Sequence, residues 1–372
     1  MKVLILAVTA GEGHNSISKA VASQLGDRAE VKIYDLFKNE QRFMEFLVND
    51  FYFWSCKHFL GLSNTIFRKL RNIPPRNIKR TSMHKMLKKT KPRILKLVQD
   101  YQPDMVFCSH TYAAHIMSEL KEKGLYNGKV FYIVSDFDLS PCTETCTYVD
   151  YVISPNKDFD ESLIKKGFKQ KQILPLGIPV APKFSAKIDK REIRDKLGIS
   201  QDKFIVFIMN GGVGFGDTDK LIKNLCKANV DFEVISVCGK NKKLKAKIDK
   251  LISNGKYRVK VHNYGFATNV EELMSASDCY VGKMGGLSTN EALNRGLPLI
   301  STNRLPWQEY DNMVYLTNKG VCDYIYSKRE AYLVLQKLFN TPGLLEERKK
   351  NVKEFSKPNA IVDIVDAMLE LK

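Results

Sequence analysis

The first residues in the chain that could carry out chemistry are a histidine and its flanking glycines. The apolar run Val3–Val8 predicts a buried strand, and Gly11-Glu12-Gly13-His14-Asn15-Ser16 follows it directly before a helical pattern. Glycines let the backbone approach a ligand, and the amides of a helix N-terminus favour negative charge. An imidazole there titrates near neutrality, so His14 is a candidate general base. The alternative is that His14 only caps the helix. Ser16 stands where a dinucleotide-binding fingerprint would need its third glycine, so that fingerprint is poorly supported.

Two more glycine-rich turns follow predicted strands later in the chain. They are Asn210-Gly211-Gly212-Val213-Gly214-Phe215-Gly216 and Gly282-Lys283-Met284-Gly285-Gly286, and the second leads into a helical pattern. Backbone N–H groups in such turns can bind phosphate oxygens, and first-turn amides can hold a diphosphate. Glu291, one turn further on, is suited to accept hydrogen bonds from a ribose diol. The alternatives are a flexible turn and, for Glu291, a carboxylate that complements the helix dipole.

The elements that must position these turns form a repeating pattern. Short apolar runs alternate with amphipathic stretches, which predicts an α/β fold with doubly wound parallel sheets. The predicted strands are Val3–Val8, Val31–Tyr34, Met105–Cys108, Val130–Val134, Tyr151–Ser154, Phe204–Met209, Phe232–Val237, Val259–His262, Cys279–Gly282 and Leu299–Ser301. We therefore expect two Rossmann-like domains, 1–175 and 188–343, joined by a Gly- and Pro-rich linker, 176–187, and followed by a helical tail, 344–372. Two such domains leave a cleft, and ligands bind at the carboxyl ends of the strands.

Positive charge is concentrated in one segment. The chain has 59 Lys and Arg against 41 Asp and Glu, a net charge of +18. Fifteen basic and four acidic residues lie between Lys38 and Asp100, together with eight aromatic residues from Phe43 to Phe67. Basic side chains beside aromatic rings favour an anionic membrane surface, although a structural segment or a nucleic-acid site are alternatives. The predicted membrane-docking residues are Phe53, Trp54, Arg80, Lys88, Lys89 and Lys91.

Other features limit the location and the cofactors. No apolar run approaches the ~20 residues that span a bilayer, and Met1–Ala10 is too short for a signal peptide. The eight cysteines then predict reduced thiols in a cytoplasmic protein, peripherally associated with the inner face of the cell membrane. Cys142 and Cys146 lack a second Cys or His pair at zinc spacing, and three Asp-x-Asp pairs are weak evidence for a metal–diphosphate site. We expect no metal and no cofactor, because amides and a helix dipole can stabilise a leaving diphosphate.

These motifs, in this order and together with Tyr264-Gly265-Phe266-Ala267-Thr268-Asn269, resemble a known family. The chain resembles the monogalactosyldiacylglycerol synthases and processive diacylglycerol glucosyltransferases, which are related to the enzyme that adds N-acetylglucosamine to peptidoglycan lipid precursors. The resemblance covers nearly the whole chain. It implies a GT-B type fold of two facing Rossmann-like domains, with a UDP-sugar in the second domain and a lipid acceptor at the first.

The resemblance also implies roles for single residues. His14 corresponds to the base that deprotonates the acceptor hydroxyl, the Phe266 backbone to the uracil contact and Glu291 to the ribose ligand. Gln308 and Glu309 correspond to contacts with sugar hydroxyls. The remaining implied substrate contacts are Gly13, Asn15, Gly211, Gly212, Gly214, Lys283, Gly285, Gly286, Leu287, Ser288 and Thr289. The chain departs from the family pattern at Glu12, where a glycine is usual, and at Trp307, where a small residue is common.

The sequence therefore predicts an inverting glycosyltransferase that moves glucose or galactose from a UDP-sugar to diacylglycerol at an anionic membrane surface, with no nucleic-acid partner. Three alternatives remain open. The acceptor could be another lipid, such as a polyprenyl-linked one. The protein could be a UDP-sugar epimerase, which shares two facing Rossmann domains. It could also be a non-enzymatic basic protein.

Overall fold

The computed structural model describes residues 1–9, 13–38, 65, 87–214, 216–302 and 306–372. These residues form two compact units. The first contains Met1–Ala181, Pro306–Gln308 and Lys357–Lys372, and the second contains Pro182–Leu305 and Glu309–Ser356. The chain passes from one unit to the other between Ala181 and Pro182, within the predicted linker.

The first unit is a six-stranded parallel sheet with helices. Its elements are β1 (Lys2–Ala7), α1 (Gly13–Leu25), β2 (Glu30–Asp35), α2 (Lys91–Tyr101), β3 (Met105–Cys108), α3 (Thr111–Glu122), β4 (Lys129–Ile133), β5 (Tyr151–Ile153), α4 (Asp160–Lys165) and β6 (Ile173–Leu174). The strand order is β2-β1-β3-β4-β5-β6. Residues Val3–Leu6 are fully buried, as expected for a parallel strand covered on both faces. The order reverses between β1 and β3, so a ligand site is expected at the loops that follow these two strands.

The second unit repeats this architecture. Its elements are α5 (Lys190–Leu197), β7 (Phe204–Met209), α6 (Thr218–Leu225), β8 (Phe232–Val237), α7 (Lys242–Ser253), β9 (Val261–Tyr264), α8 (Val270–Ser275), β10 (Cys279–Gly282), α9 (Gly286–Asn294), β11 (Leu299–Ser301), α10 (Trp307–Asn318), β12 (Cys322–Tyr324), α11 (Ala331–Asn340) and α12 (Leu344–Phe355). The strand order is β12-β11-β10-β7-β8-β9, and every pair is parallel. Here the order reverses between β7 and β10, which are the strands that precede the two glycine-rich turns.

A mostly buried carboxylate fixes these two central strands. Asp278 precedes β10, and its Oδ2 accepts hydrogen bonds from the Ile205 N–H in β7 and from Arg194 Nη2 in α5, both at 2.7 Å. Arg194 is itself buried and donates to four backbone carbonyls. Because charge-assisted hydrogen bonds of this kind are strong and directional, they hold β7 and β10 in register below their turns.

The C-terminal tail is helical, but its two helices belong to different units. Its second helix, α13 (Ala360–Glu370), packs against α1 in the first unit, whereas α12 belongs to the second unit. The reason is the apolar face of α13, where Ile361, Ile364, Val365 and Met368 are buried. The predicted tail 344–372 is therefore divided between the two units.

In the described part of the chain, none of the helices is both long enough and apolar enough to cross a bilayer.

Candidate functional site

In the first unit, His14 lies at the point where the strand order reverses. It is the second residue of α1, and its Nδ1 lies 2.7 Å from the carbonyl oxygen of Ser109, directly after β3. A carbonyl oxygen can only accept, so Nδ1 carries the proton and Nε2 keeps its lone pair. Burial lowers the pKa of His14, while the charge of Asp136 and the Ser109 hydrogen bond oppose the shift. The ring is therefore a neutral imidazole with a basic Nε2, which suits a general base.

The other residues predicted at this turn serve the fold. Asn15 Nδ2 donates to Thr9 Oγ1 at 2.9 Å, and the Thr9 hydroxyl donates to Asp35 at the end of β2. Asn15 thus ties the ends of β1 and β2 together, and its contact with substrate stays a prediction. Gly13 is the first residue of α1. Gly11 and Glu12 lie outside the described residues, so the departure at Glu12 has no structural account.

Two further residues interact with His14, and the sequence did not assign either of them to it. His110 follows β3 and packs its ring against that of His14, with 4.6 Å between the centroids. Asp136 follows β4, and its charge favours the protonated form of His14. A carboxylate in that position stabilises an imidazolium that forms during proton transfer. His110 and Asp136 each lie shortly after the end of a predicted strand, and these two strands are adjacent in the sheet. That position was the signal available in the sequence.

In the second unit, most of the residues predicted to hold the diphosphate lie at the N-terminus of α9. Gly285 is the N-cap residue, and the first backbone bond of the helix runs from the Thr289 N–H to the Gly285 carbonyl at 3.0 Å. Amides that precede this bond, such as those of Leu287 and Ser288, have no intrahelical acceptor and are suited to bind an anion. Thr289 is different. Its side chain is fully buried and its N–H bonds to the Gly285 carbonyl, so Thr289 presents no free first-turn amide, and its contact with the diphosphate stays a prediction.

The glycines of the turn after β7 differ in their contacts with the rest of the fold. Gly214 has φ +65°, donates its N–H to the Gly211 carbonyl, and lies so close to Cys238 that a Cβ would be 2.0 Å from the Cys238 carbonyl oxygen. Gly214 therefore shapes the turn, and its contact with substrate stays a prediction. Gly212 accepts from the Lys240 N–H at 2.8 Å. Gly211 has φ +73° and open space where a Cβ would stand, so it leaves room for a ligand.

Two charged residues meet beside the cradle. Lys283 Nζ donates to Glu309 Oε1 at 2.6 Å, and both side chains are mostly buried. The second oxygen of Glu309 is buried and has no hydrogen-bond partner among the described residues. The pair fixes the Lys283 ammonium near Gly285, because a Cβ on Gly285 would lie 3.7 Å from Glu309 Oε1. One oxygen of Glu309 is therefore already occupied, which restricts its predicted contact with a sugar. Gln308, the second residue of α10, is partly exposed.

Glu291 is a carboxyl group in an unfavourable environment for charge. Burial raises its pKa to about 8, Glu271 adds to the shift and Lys183 opposes it. Lys183 itself pairs with Glu271 at 2.6 Å. Glu291 thus carries a proton at neutral pH, and a bound group that donates hydrogen bonds would favour its ionised form.

The predicted uracil contact lies at the surface. Phe266 follows β9, and 61% of the residue is exposed, with Lys240 Nζ 5.7 Å from the ring centroid. An exposed aromatic ring in the loop after a strand of this sheet is accessible to a ligand, so the structure leaves the prediction for Phe266 open.

The predicted membrane-docking residues fall into three groups. Phe53, Trp54 and Arg80 lie outside the described residues. Lys88 and Lys89 are exposed. Lys91 is mostly buried and forms an ion pair with Glu119, which also binds Lys123. Its charge is used within the protein, so Lys91 does not fit the predicted docking role.

Within the described ranges, no cluster of three or more His, Cys, Asp and Glu side chains could hold a metal ion. Burial raises the pKa of Cys142 to about 11, so this thiol stays protonated at neutral pH.

The two kinds of glycine give a matched test. Gly285→Ala places its methyl group at ordinary contact distance, so we expect about 1 kcal/mol or less of lost stability but about tenfold weaker UDP binding, because the methyl group blocks the approach to the amides. Gly214→Ala should instead lower stability by about 2 kcal/mol or more, since it combines a positive φ with a backbone overlap. Thermal melts and UDP titration calorimetry measure both effects. Equal loss of stability in the two variants would contradict the assignment.

Comparisons with known proteins agree with this geometry. Residues 12–180 match the family model described as monogalactosyldiacylglycerol (MGDG) synthase, and residues 205–365 match the glycosyltransferase family 28 C-terminal domain. Among curated proteins, monogalactosyldiacylglycerol synthase 1 of Arabidopsis thaliana is 29% identical over 100% of this chain and 71% of its own length. The spinach (Spinacia oleracea) monogalactosyldiacylglycerol synthase is 28% identical over 100% of this chain and 72% of its own. Both relatives are named as chloroplastic.

Solved structures show the same fold at low identity. MurG of Acinetobacter baumannii has a TM-score of 0.68 at 15% identity, covering 99% of both chains. Anabaena HepE in complex with UDP has a TM-score of 0.59 at 14% identity, covering 100% of both chains. UDP-GlcNAc 2-epimerase of Neisseria meningitidis scores 0.62 at 16% identity, also over 100% of both chains.

The two parallel six-stranded units and the two matching domain models make this protein a glycosyltransferase with the GT-B type fold. The resemblance to the monogalactosyldiacylglycerol synthase family, predicted from the motifs, is confirmed by a family model over the first half of the chain and by relatives that cover its full length.

Proposed function

We propose that this protein transfers a hexose from a UDP-sugar to diacylglycerol, with inversion at the anomeric carbon. The observation that carries the proposal is a pair of complementary sites, each where the strand order of its sheet reverses. The first unit presents a neutral imidazole with a free lone pair, and the second presents helix amides beside a fixed lysine. The names of the plant relatives support the acceptor, and the UDP complex of HepE supports the donor class.

The chemistry follows from these groups. His14 Nε2 accepts the proton of the acceptor hydroxyl as its oxygen forms a bond to the anomeric carbon. The bond from that carbon to the UDP oxygen breaks on the opposite side, which inverts the configuration, and UDP leaves with the electron pair. The first-turn amides of α9 and the Lys283 ammonium stabilise the charge that develops on the leaving diphosphate. Asp136 stabilises the imidazolium until the proton is released.

We also propose that transfer needs no metal ion. The reason is that the first-turn amides and the dipole of α9 already supply positive potential to the diphosphate. We propose peripheral association with the inner face of the cell membrane, for which the exposed Lys88 and Lys89 and the basic, aromatic composition of the surrounding segment are the support.

The proposal is tested with the purified protein and radiolabelled UDP-glucose or UDP-galactose, with and without vesicles that contain diacylglycerol. We expect a labelled glycolipid only when the vesicles are present, and mass spectrometry identifies the hexose and the lipid. A polyprenyl phosphate in place of diacylglycerol tests the other acceptor class. Conversion of the donor without any acceptor would indicate an epimerase. Absence of both product and UDP-dependent thermal stabilisation would indicate a non-enzymatic protein.

A further inference from the structure

Four rings form a continuous row across the end of the first sheet. The His14 and His110 rings lie 4.6 Å apart, the His110 and Tyr112 rings 4.5 Å apart, and the Tyr112 and Phe37 rings 6.2 Å apart between centroids. Phe37 is buried beyond the end of β2, and Tyr112 is in the first turn of α3. His110 therefore packs against Tyr112 as well as against His14.

The protonation of His110 is fixed by the backbone. His110 is the N-cap residue of α3, and its Nδ1 accepts a hydrogen bond from the Tyr112 N–H at 3.0 Å. The ring must therefore carry its proton on Nε2. A second proton on Nδ1 would remove the capping bond and place a positive charge at a helix N-terminus, where the dipole opposes it. Burial, and then the neighbouring His14, hold the pKa of His110 well below its ordinary value. His110 is thus a permanently neutral neighbour.

The other groups around His14 affect its protonation differently from His110. Asp136, after β4, favours the imidazolium, and the Ser109 carbonyl after β3 favours a protonated Nδ1. Asp35, at the end of β2, is engaged by the Thr9 hydroxyl and by the N–H groups of Phe37 and Lys38. Tyr112 is neutral, because burial raises its pKa to about 12. In contrast to these groups, the His110 ring packs against His14 and offers it neither a charge nor a hydrogen-bond acceptor.

We propose that His110 is a positioning residue for the transfer reaction proposed above. Its neutral ring covers one side of His14, keeps water from that side and holds the imidazole in the orientation set by Ser109. This arrangement favours the unprotonated form of His14, although the charge of Asp136 favours the imidazolium. The expected change in activity rests on the proposed function. The expected effect of His110 on the His14 ring does not.

The test is His110→Asn. Asparagine is a favourable N-cap residue and can accept the Tyr112 N–H, so α3 keeps its cap while the shorter side chain admits water beside His14. We expect the His14 titration to move up toward 6.5, its ordinary value. The acidic limb of the kcat/KM profile should move with it, so that the variant loses about threefold more activity at pH 6 than at pH 8.

The experiment follows the histidine Cε1 signals by NMR as the pH changes, in the protein without substrates, and His14→Gln assigns the His14 signal among six histidines. His115→Asn is the matched control, since it removes another imidazole from α3 and should leave the His14 titration unchanged. His110→Phe keeps a ring over His14 and should keep the wild-type titration. Should His110→Asn not fold, His110→Ser, another capping residue, takes its place.

The outcomes separate the two claims. An unchanged His14 titration in the folded His110→Asn protein overturns the inference, whatever the activity is. An equal shift in His115→Asn also overturns it, because the effect would then not be specific to the packed ring. A wild-type protein without transferase activity would contradict the proposed function, while the NMR titration would still decide the role of His110.

Discussion

Replacing His14 with alanine is expected to lower kcat for hexosyl transfer by a factor of roughly 10²–10⁴, which is the usual contribution of a general base. UDP affinity should change little, because the residues suited to the diphosphate belong to the second unit. The wild-type profile should also report the base. Since burial lowers the pKa of His14 below 6.5, kcat/KM should stay high at pH 6.5 and fall only on the acidic side of that value.

The measurement is transfer of labelled hexose to diacylglycerol in vesicles, with UDP binding followed by calorimetry on the same samples. His115→Asn is the control, because it changes a histidine in the same unit that is not part of the proposed mechanism. A wild-type rate for His14→Ala would show that another group accepts the proton. A loss of UDP affinity equal to the loss of rate would show that His14 acts mainly in binding.

Most of the fold could be predicted because parallel strands buried on both faces appear as continuous apolar runs. All ten predicted strands are present, and Phe204–Met209 and Cys279–Gly282 have the predicted bounds. The last strand of each sheet was missed. Ile173–Leu174 has only two residues and Cys322–Tyr324 has an aspartate at its centre, so neither appears as a continuous apolar run. β9 begins two residues later than predicted, because Val261–Tyr264 is an only partly buried edge strand that contains polar residues.

The positions of the functional turns were predicted, but the roles of their residues were less accessible. A glycine-rich stretch between a strand and a helix indicates a backbone that approaches something closely. Only the tertiary structure shows that Gly214 approaches the Cys238 carbonyl, whereas Gly211 faces open space. In the same way, the burial of Thr289 depends on how α9 packs. His110 was missed because a single histidine after a strand has no distinguishing spacing.

Replacing Glu291 with glutamine is expected to have opposite effects on binding and on stability. If the carboxylate accepts two hydrogen bonds from a ribose diol, glutamine loses one acceptor and presents an amide donor instead. Hydrogen bonds to charged groups contribute about 1.5–3 kcal/mol, so UDP affinity should fall roughly 10- to 100-fold. Wild-type affinity should also rise with pH up to about 8 and then level off, because the ionised form binds the diol and the pKa of Glu291 is about 8. The variant should show no such rise.

Stability should change in the other direction. The pKa of Glu291 is raised from 4.5 to about 8 in the folded protein, so the folded state retains a proton that the unfolded state has already released. Wild-type stability therefore decreases as pH rises from about 4.5 to about 8 and is then constant. Glutamine is neutral throughout, so the variant should match the wild type near pH 5 and melt a few degrees higher at pH 8.

This pair of effects distinguishes a ligand-binding carboxylate from a structural one. A carboxylate that stabilises the fold would lower stability when it is replaced by a neutral group. Glu291 is instead expected to cost stability and to be retained because its ionised form binds the ligand. Thermal melts and UDP calorimetry between pH 5 and pH 9 measure both quantities, and Glu354→Gln, at an exposed carboxylate on α12, is the matched control. Proton release on UDP binding at pH 7, seen as a dependence of the binding enthalpy on the buffer, should occur in the wild type and disappear in Glu291→Gln. A destabilised variant with unchanged UDP affinity would assign Glu291 to the fold and leave the ribose to another residue.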